Sequence, residues 1–244
     1  MQDKKKRLDL LLVELGLVSS REKAKRLILA GQVFVNGTVV SKTAVETAIE
    51  SLIQIKKQER FVSRGGEKLA FALEEFSLSS DGLIILDIGA STGGFTDCLL
   101  QQGAQKVYSV DVGYGQLDWR LRNNRKVVVI ERKNARYLTI FDIGELVDII
   151  TIDVSFISLT KIIPAAINIL KDRGVILALI KPQFEAARTD ISKGGVVKKE
   201  EIRIGVLERI KEFSRSHQLT VKGICRSPLV GPAGNIEYFI YLQK

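Results

Sequence analysis

The sequence predicts an α/β chain in which a small basic α+β domain precedes an open, mostly parallel sheet of seven strands. Three observations predict it. From Leu83 onward, short apolar runs alternate with helical patterns, the signature of parallel strands covered on both faces. The first of those runs ends in a glycine-rich turn. The positive charge is concentrated at the front: Met1 to Arg60 holds 12 Lys or Arg against 7 Asp or Glu, more than half of the net +9 of the 244 residues. The expected divisions are 1–60, a linker at 61–66, and 67–244.

Composition narrows the function classes. With 45% hydrophobic residues, 27% charged residues and four prolines, the chain has ample apolar surface to bury and is not of the disordered class. The net charge of +9 favours a polyanionic partner, because Lys and Arg displace counterions from phosphates of any sequence. One histidine, His217, and two distant cysteines, Cys98 and Cys225, leave no material for a His-rich metal site, a Ser-His-Asp triad or a disulfide framework. No metal is expected. Asp9 and Glu14 interrupt the apolar run after Lys4 to Lys6, unlike a secretory leader. No apolar stretch approaches the roughly 18 residues of a membrane span. A cytoplasmic protein without a membrane partner is the expectation.

In the first domain, Arg7 to Gly16 reads as a helix with Leu8, Leu11, Leu12 and Leu15 on one stripe. A second helix follows, with Ser19 and Glu22 at capping-box spacing, a buried face of Ala24, Leu27 and Ile28, and Gly31 as its stop. Arg21 and Lys25 lie about one turn apart beside Lys23 and Arg26, forming a positive ridge. Val33, Val35, Asn36-Gly37 and Val39 give a tight hairpin signal. Nothing here is catalytic. The segment "RLDLLLVELGLVSSREKAKRLILAGQVFVNGTVVSK" closely resembles the S-four-type (alpha-L) RNA-binding module. That resemblance implies RNA contact through Arg7, Arg21, Lys25 and Arg26.

In the second domain, strands are expected at Leu83–Asp87, Val107–Asp111, Val127–Arg132, Asp148–Asp153, Val175–Lys181, Thr220–Cys225 and Tyr238–Leu242, with helices around Thr96–Gln102, Leu159–Leu170 and Lys198–Ser216. Seven such strands fit a Rossmann-like sheet. The turn "LDIGASTGGFTDCLL" lets backbone approach a ligand without intervening side chains. It lacks both the Walker lysine and the Gly-x-Gly-x-x-Gly spacing, so a cofactor without phosphates fits better. Gly89, Ala90, Ser91, Gly93, Phe95 and Thr96 are the candidate cofactor cradle. Asp111, about two dozen residues past Asp87, is placed to accept from ribose hydroxyls, and Asn134 is a candidate for the adenine side.

Asp153 and Lys181 end the fourth and fifth strands, at the edge where open parallel sheets bind ligands. Glu237 begins the last strand, and Lys68 opens a helix after "SRGG". Lys68, Asp153, Lys181 and Glu237 follow the order of the Lys-Asp-Lys-Glu tetrad of FtsJ-type ribose 2′-O-methyltransferases, which they resemble. With "SRGGEKL", "DIGASTGGFTD", "VDVGYGQLDWRLR", "IDVSFISL" and "LIKPQFE", the whole chain is similar to the TlyA family. It departs from that family at Arg60-Phe61-Val62, where members often carry Arg-x-Trp-Val.

The resemblance implies a Rossmann-like S-adenosylmethionine methyltransferase domain that modifies cytidine ribose in ribosomal RNA, with ribosomal RNA or ribosomal subunits as partner. In-line transfer requires alignment of the ribose oxygen and the methyl, and disposal of one proton. Lys181 is expected at the attacking oxygen, with Asp153 and Glu237 orienting it and Lys68 positioning the ribose. Three alternatives stand beside this reading. A base methyltransferase is one, although Asp153-Val154-Ser155-Phe156 lacks both prolines of the exocyclic-amine motif. A non-catalytic RNA assembly factor is the second. A haemolysin-like membrane-active protein is the third, and it would require an apolar span or a strongly amphipathic exposed helix.

Overall fold

The computed structural model describes residues 4–56 and 60–244. The chain divides into two compact units, Met1–Glu59 and Arg60–Lys244.

The N-terminal unit contains β1 (Lys5–Arg7), α1 (Leu8–Glu14), α2 (Arg21–Leu29), β2 (Val33–Val35), β3 (Thr38–Val40), β4 (Glu46–Ala48) and β5 (Ile53–Ile55). Leu8, Leu12, Ala24, Ile28 and Val33 are buried together, as the apolar stripe on each helix dictates. Gly16 and Gly31 follow the two helices with φ of 67° and 64°, the left-handed conformation that ends a helix. The cap of α2 is Ser20 rather than Ser19: its side chain accepts from the Lys23 N–H at 3.3 Å. Glu22 is thereby left to pair with Lys25 at 2.8 Å. Asn36 and Gly37 both have positive φ, as the β2–β3 hairpin requires. Sequence periodicity did not reveal β1, β4 or β5, each only three residues long.

The C-terminal unit runs through α3 (Arg64–Glu75), β6 (Ile84–Ile88), α4 (Gly94–Gln101), β7 (Lys106–Val110), α5 (Trp119–Arg122), β8 (Val127–Ile130), α6 (Ile140–Ile143), β9 (Val147–Ile152), α7 (Ile163–Ile167), β10 (Leu170–Ile180), α8 (Pro182–Glu185), α9 (Glu200–Ser216), β11 (Thr220–Arg226) and β12 (Tyr238–Gln243). The seven strands order as β11-β12-β10-β9-β6-β7-β8. The five from β8 to β10 are parallel, and β12 runs antiparallel between β10 and β11.

Strand periodicity explains both the continuous apolar runs and the placement of the polar exceptions. Leu86, Ile88, Ile150, Ile152, Ile176, Ala178 and Ile180 pack on one face with α7 and α9 residues. Ile85, Ile149, Leu177, Leu179 and Phe239 pack on the other, against Leu69 and Leu73 of α3 and Cys98 and Leu99 of α4. Two residues beyond Ile149 and Ile85 the same face carries Thr151 and Asp87, both fully buried. Residues 61–66, expected as a linker, are packed within this unit. Phe61 is 3% exposed, and a Cβ on Gly66 would fall 2.2 Å from its ring, so only glycine fits against it. Val62 N–H also donates to Asp97 at 2.9 Å.

Candidate active site

Order reverses in the sheet between β6 and β9, the switch point at which a crevice opens at the carboxyl ends of parallel strands. The β6 turn is held tightly there. Gly89 and Ala90 N–H both donate to Val110 O, at 2.8 and 3.1 Å, and Asp153 N–H donates to Ile88 O at 2.9 Å. Gly89 has φ of 85°, and a Cβ on it would lie 2.3 Å from the Asp153 carbonyl oxygen. Gly93 caps α4 with φ of 97°. A Cβ on Gly94 would strike Ser63 Oγ at 2.2 Å, so this glycine lets the starts of α3 and α4 meet.

Beneath the turn lies a polar cluster that sequence reading did not single out. Thr96 Oγ1 and Thr151 Oγ1 donate to the two oxygens of Asp87 at 2.7 and 3.0 Å, and Thr96 also bonds Ser109 at 2.7 Å. Burial pushes the Asp87 carboxyl up to about 6, against the hydrogen bonds from the two threonines. Thr96 is thus committed to the interior. This corrects its expected place in the cofactor cradle.

The crevice widens into a cavity of about 580 Å³ lined by all four tetrad candidates, Lys68, Asp153, Lys181 and Glu237, a size suited to a drug-sized ligand. Side-chain alternation explains the convergence. Asp153 continues the face of Ile149 and Thr151, Lys181 that of Leu177 and Leu179, and Glu237 that of Phe239. All three therefore look toward the face that α3, with Lys68, covers.

The pairing differs from expectation. Glu237, 1% exposed, accepts from Lys68 Nζ at 2.6 Å, and is the partner of Lys68 rather than of Lys181. Lys181 Nζ lies 2.6 Å from Asp153 Oδ1 and donates to Ser155 Oγ at 3.0 Å. The Lys181–Asp153 contact is a close charge contact with poor hydrogen-bond alignment, and Asp153 Oδ1 still has no aligned donor. Glu237 Oε1 and Gln183 Oε1, also on cavity-lining residues, are likewise buried acceptors without a donor among the described residues.

Of the expected cofactor residues, Gly89, Ala90, Ser91 and Phe95 line the cavity, together with Thr92 and Gly94. Gly93, Thr96, Asp111 and Asn134 are outside that lining. Asp111 shapes the cradle from behind, accepting from Ser91 N–H at 2.8 Å and Gly113 N–H at 2.7 Å. Asn134 is exposed and caps a short 3₁₀ turn, its Oδ1 accepting from Arg136 N–H at 3.0 Å.

Phe156, noted in the sequence only as the aromatic end of Asp153-Val154-Ser155-Phe156, is 91% exposed at the cavity, with φ of 63° and its ring centroid 5.0 Å from that of Phe184. The loop that carries it is anchored by Glu185. That carboxylate accepts from Ser158 Oγ at 2.6 Å and Leu159 N–H at 2.7 Å, and burial pushes its carboxyl up.

In the N-terminal unit, Arg7 and Arg21 both donate to Asp9, Lys25 pairs with Glu22, and Arg26 is exposed with no ion pair among the described residues.

Comparison with known proteins places this geometry. The FtsJ-like methyltransferase family matches residues 61–244. TlyA of Mycobacterium tuberculosis, a 16S/23S rRNA (cytidine-2′-O)-methyltransferase, is 44% identical over 243 residues, spanning 97% of this chain and 89% of that one. The chain belongs to the TlyA family of FtsJ-like methyltransferases. This methyltransferase also carries an S4 domain match at residues 6–46. It is 45% identical over 230 residues to Hemolysin A of Brachyspira hyodysenteriae, covering 93% of this chain and 95% of the relative. A solved structure from Streptococcus thermophilus, described as a candidate hemolysin, shares 44% identity and a TM-score of 0.76, over 99% of this chain and 89% of that one. No helix among the described residues is long and apolar enough to cross a membrane.

Proposed function

We propose that this protein methylates the ribose 2′-oxygen of cytidine in ribosomal RNA, with S-adenosylmethionine as methyl donor and the N-terminal unit as RNA grip. The observation that carries the reading is the gathering of Lys68, Asp153, Lys181 and Glu237 around one cavity beside the glycine-rich turn. The cradle fits the cofactor. Gly89, Ala90, Ser91, Thr92, Gly94 and Phe95 of the glycine-rich turn line the cavity, that lining combines apolar and polar groups, and the turn carries no phosphate-binding lysine. Gly89, Ala90, Ser91 and Phe95 would hold S-adenosylmethionine, with Asp111 bracing the turn. When bound, that group supplies an electrophilic methyl on a positively charged sulfur.

The chain's own residues then have three tasks. Lys181 contacts the attacking 2′-oxygen, and the hydroxyl proton passes to the adjacent Asp153 carboxylate, whose Oδ1 has no aligned donor. Glu237 holds Lys68 at the cavity wall through Oε2, and Lys68 sets the sugar's orientation. The exposed Phe156 ring offers an apolar face on which an unstacked base can rest.

Carbon methylation, which normally requires a cysteine nucleophile, finds no support. Neither cysteine lines the cavity, and burial pushes the Cys98 thiol up to about 12 and the Cys225 thiol up to about 11. The test is methyl transfer from labelled cofactor to ribosomal subunits and to free ribosomal RNA, followed by nucleoside mapping. The product linkage should resist alkali. Lys181→Ala should lose at least about 100-fold in turnover with RNA affinity nearly unchanged. Full activity in that variant, or an alkali-labile product, refutes the reading.

A further inference from the structure

Among its described residues the N-terminal unit buries one carboxylate within its apolar core. Asp9, 0% exposed in the first turn of α1, accepts from Nε and Nη2 of Arg7, each at 3.1 Å, and from Nε of Arg21 at 2.9 Å. Burial alone would push the Asp9 carboxyl up, and the hydrogen bonds from the two arginines outweigh it and hold it below the ordinary aspartate range. One anion therefore fixes two cations drawn from different elements, the end of β1 and the start of α2. Both guanidinium groups stay accessible, with side chains 39% and 45% exposed.

We propose that Asp9 is a positioning residue for RNA binding, presetting Arg7 and Arg21 as a fixed pair of forks for phosphate groups of a folded RNA. The inference rests on the reading of this unit as an RNA grip. Each guanidinium carries five N–H donors, and Asp9 engages three of the ten, so the outer edges remain for a ligand. Two cations and one anion leave a net positive charge. The rotamer freedom that an arginine normally surrenders on binding has here been surrendered on folding, which raises affinity for an acceptor of matching geometry. Exposed Lys23 and Arg26 on α2 add charge without comparable fixing.

The alternative, an ion-pair clamp with no part in binding, differs in sign. Asp9→Asn keeps the shape and adds one positive charge to the face, so counterion release alone would tighten RNA binding and steepen its salt dependence. Positioning instead predicts that the variant binds ribosomal RNA about tenfold more weakly, while its affinity for a homopolymer RNA is unchanged or higher.

The experiment titrates the full-length protein with deproteinised ribosomal RNA and with poly(U) at several salt concentrations. Amide hydrogen exchange over residues 4–56 reports whether Asp9→Asn retains α1. Arg21→Lys decides the question if it does not, because lysine keeps the charge but lacks the fork. Its loss on ribosomal RNA should approach that of Arg21→Ala. Wild-type affinity in Arg21→Lys, or tighter ribosomal RNA binding by a folded Asp9→Asn, overturns the positioning role alone. Wild-type binding by both Arg7→Ala and Arg21→Ala overturns the RNA-grip reading itself.

Discussion

Glu237→Gln is the perturbation that most directly interrogates the assembled site. The substitution keeps the side chain's shape and removes the charge facing Lys68 Nζ, 2.6 Å away. Side-chain exposures of 1% for Glu237 and 11% for Lys68 make this a largely buried pair. Removing one member of such a pair costs about 3–5 kcal/mol, because the survivor keeps its charge without compensation. Lys68 borders the cavity, where water can approach it, so a cost below that range, about 2–3 kcal/mol, is expected here. For a unit of this size that lowers Tm by about 4–12 °C. The Lys68→Met/Glu237→Gln double variant should recover most of the stability, since neither charge remains stranded, yet stay inactive, because the ribose has lost its orienting groups. Urea denaturation paired with labelled-methyl transfer separates the two effects. A single variant as stable as the wild type, or a double variant no more stable than the single, would refute a coupled Lys68–Glu237 pair.

Two further predictions follow from the same coordinates. Asp87 is raised from an ordinary value of 3.8 to about 6 by burial. A carboxyl whose folded-state value is raised stabilises the fold below the unfolded value and loses that contribution as pH rises through the folded one. The wild type should therefore lose up to about 3 kcal/mol relative to Asp87→Asn between pH 4 and 7, and pH-independent stability differences in denaturant titrations would contradict this. Phe156→Ala removes a 91% exposed ring. It should leave Tm unchanged and lower kcat/KM for RNA about tenfold or more, with cofactor affinity retained by calorimetry.

Asp153 and Lys181 were legible as candidates because charged residues directly after "IITI" and "ILALI" have no place but a strand end, whereas Lys68 and Glu237 entered only through the resemblance to the FtsJ-type tetrad. The tetrad's pairing was not legible. Which carboxylate meets which lysine depends on α3 lying over the face that Phe239 and Glu237 share, a tertiary fact with no local trace. Thr96 misled because a threonine in a glycine-rich turn looks available, whereas its hydroxyl turns inward to Asp87.

The Leu159–Leu170 helix is shorter than its apolar pattern. It breaks into a 3₁₀ turn and Ile163–Ile167, and Leu170 instead starts β10. The charged stretch Lys171–Gly174 hid that start, since it sits at a shift in register between Leu170 and Val175. Phe156 stands out in the sequence only as the aromatic of a motif without its prolines, and its exposure was not legible because it goes with a left-handed backbone, φ 63°.

The reversed direction of β12 has an evolutionary corollary. An acid delivered by the end of a strand would inherit every change in the preceding connection's length, whereas Glu237 is registered by the ladder that follows it, Tyr238 against Ile180 and onward. Within the segment Ser227–Asn235, freedom to vary is confined to positions away from Gly231, where a Cβ would lie 2.4 Å from Glu237 Oε1, and away from the cavity-lining Pro232, Ala233 and Asn235. A change at those four alters the wall of the cavity itself or the seat of the carboxylate, so the same loop that borders the substrate also holds the acid in place.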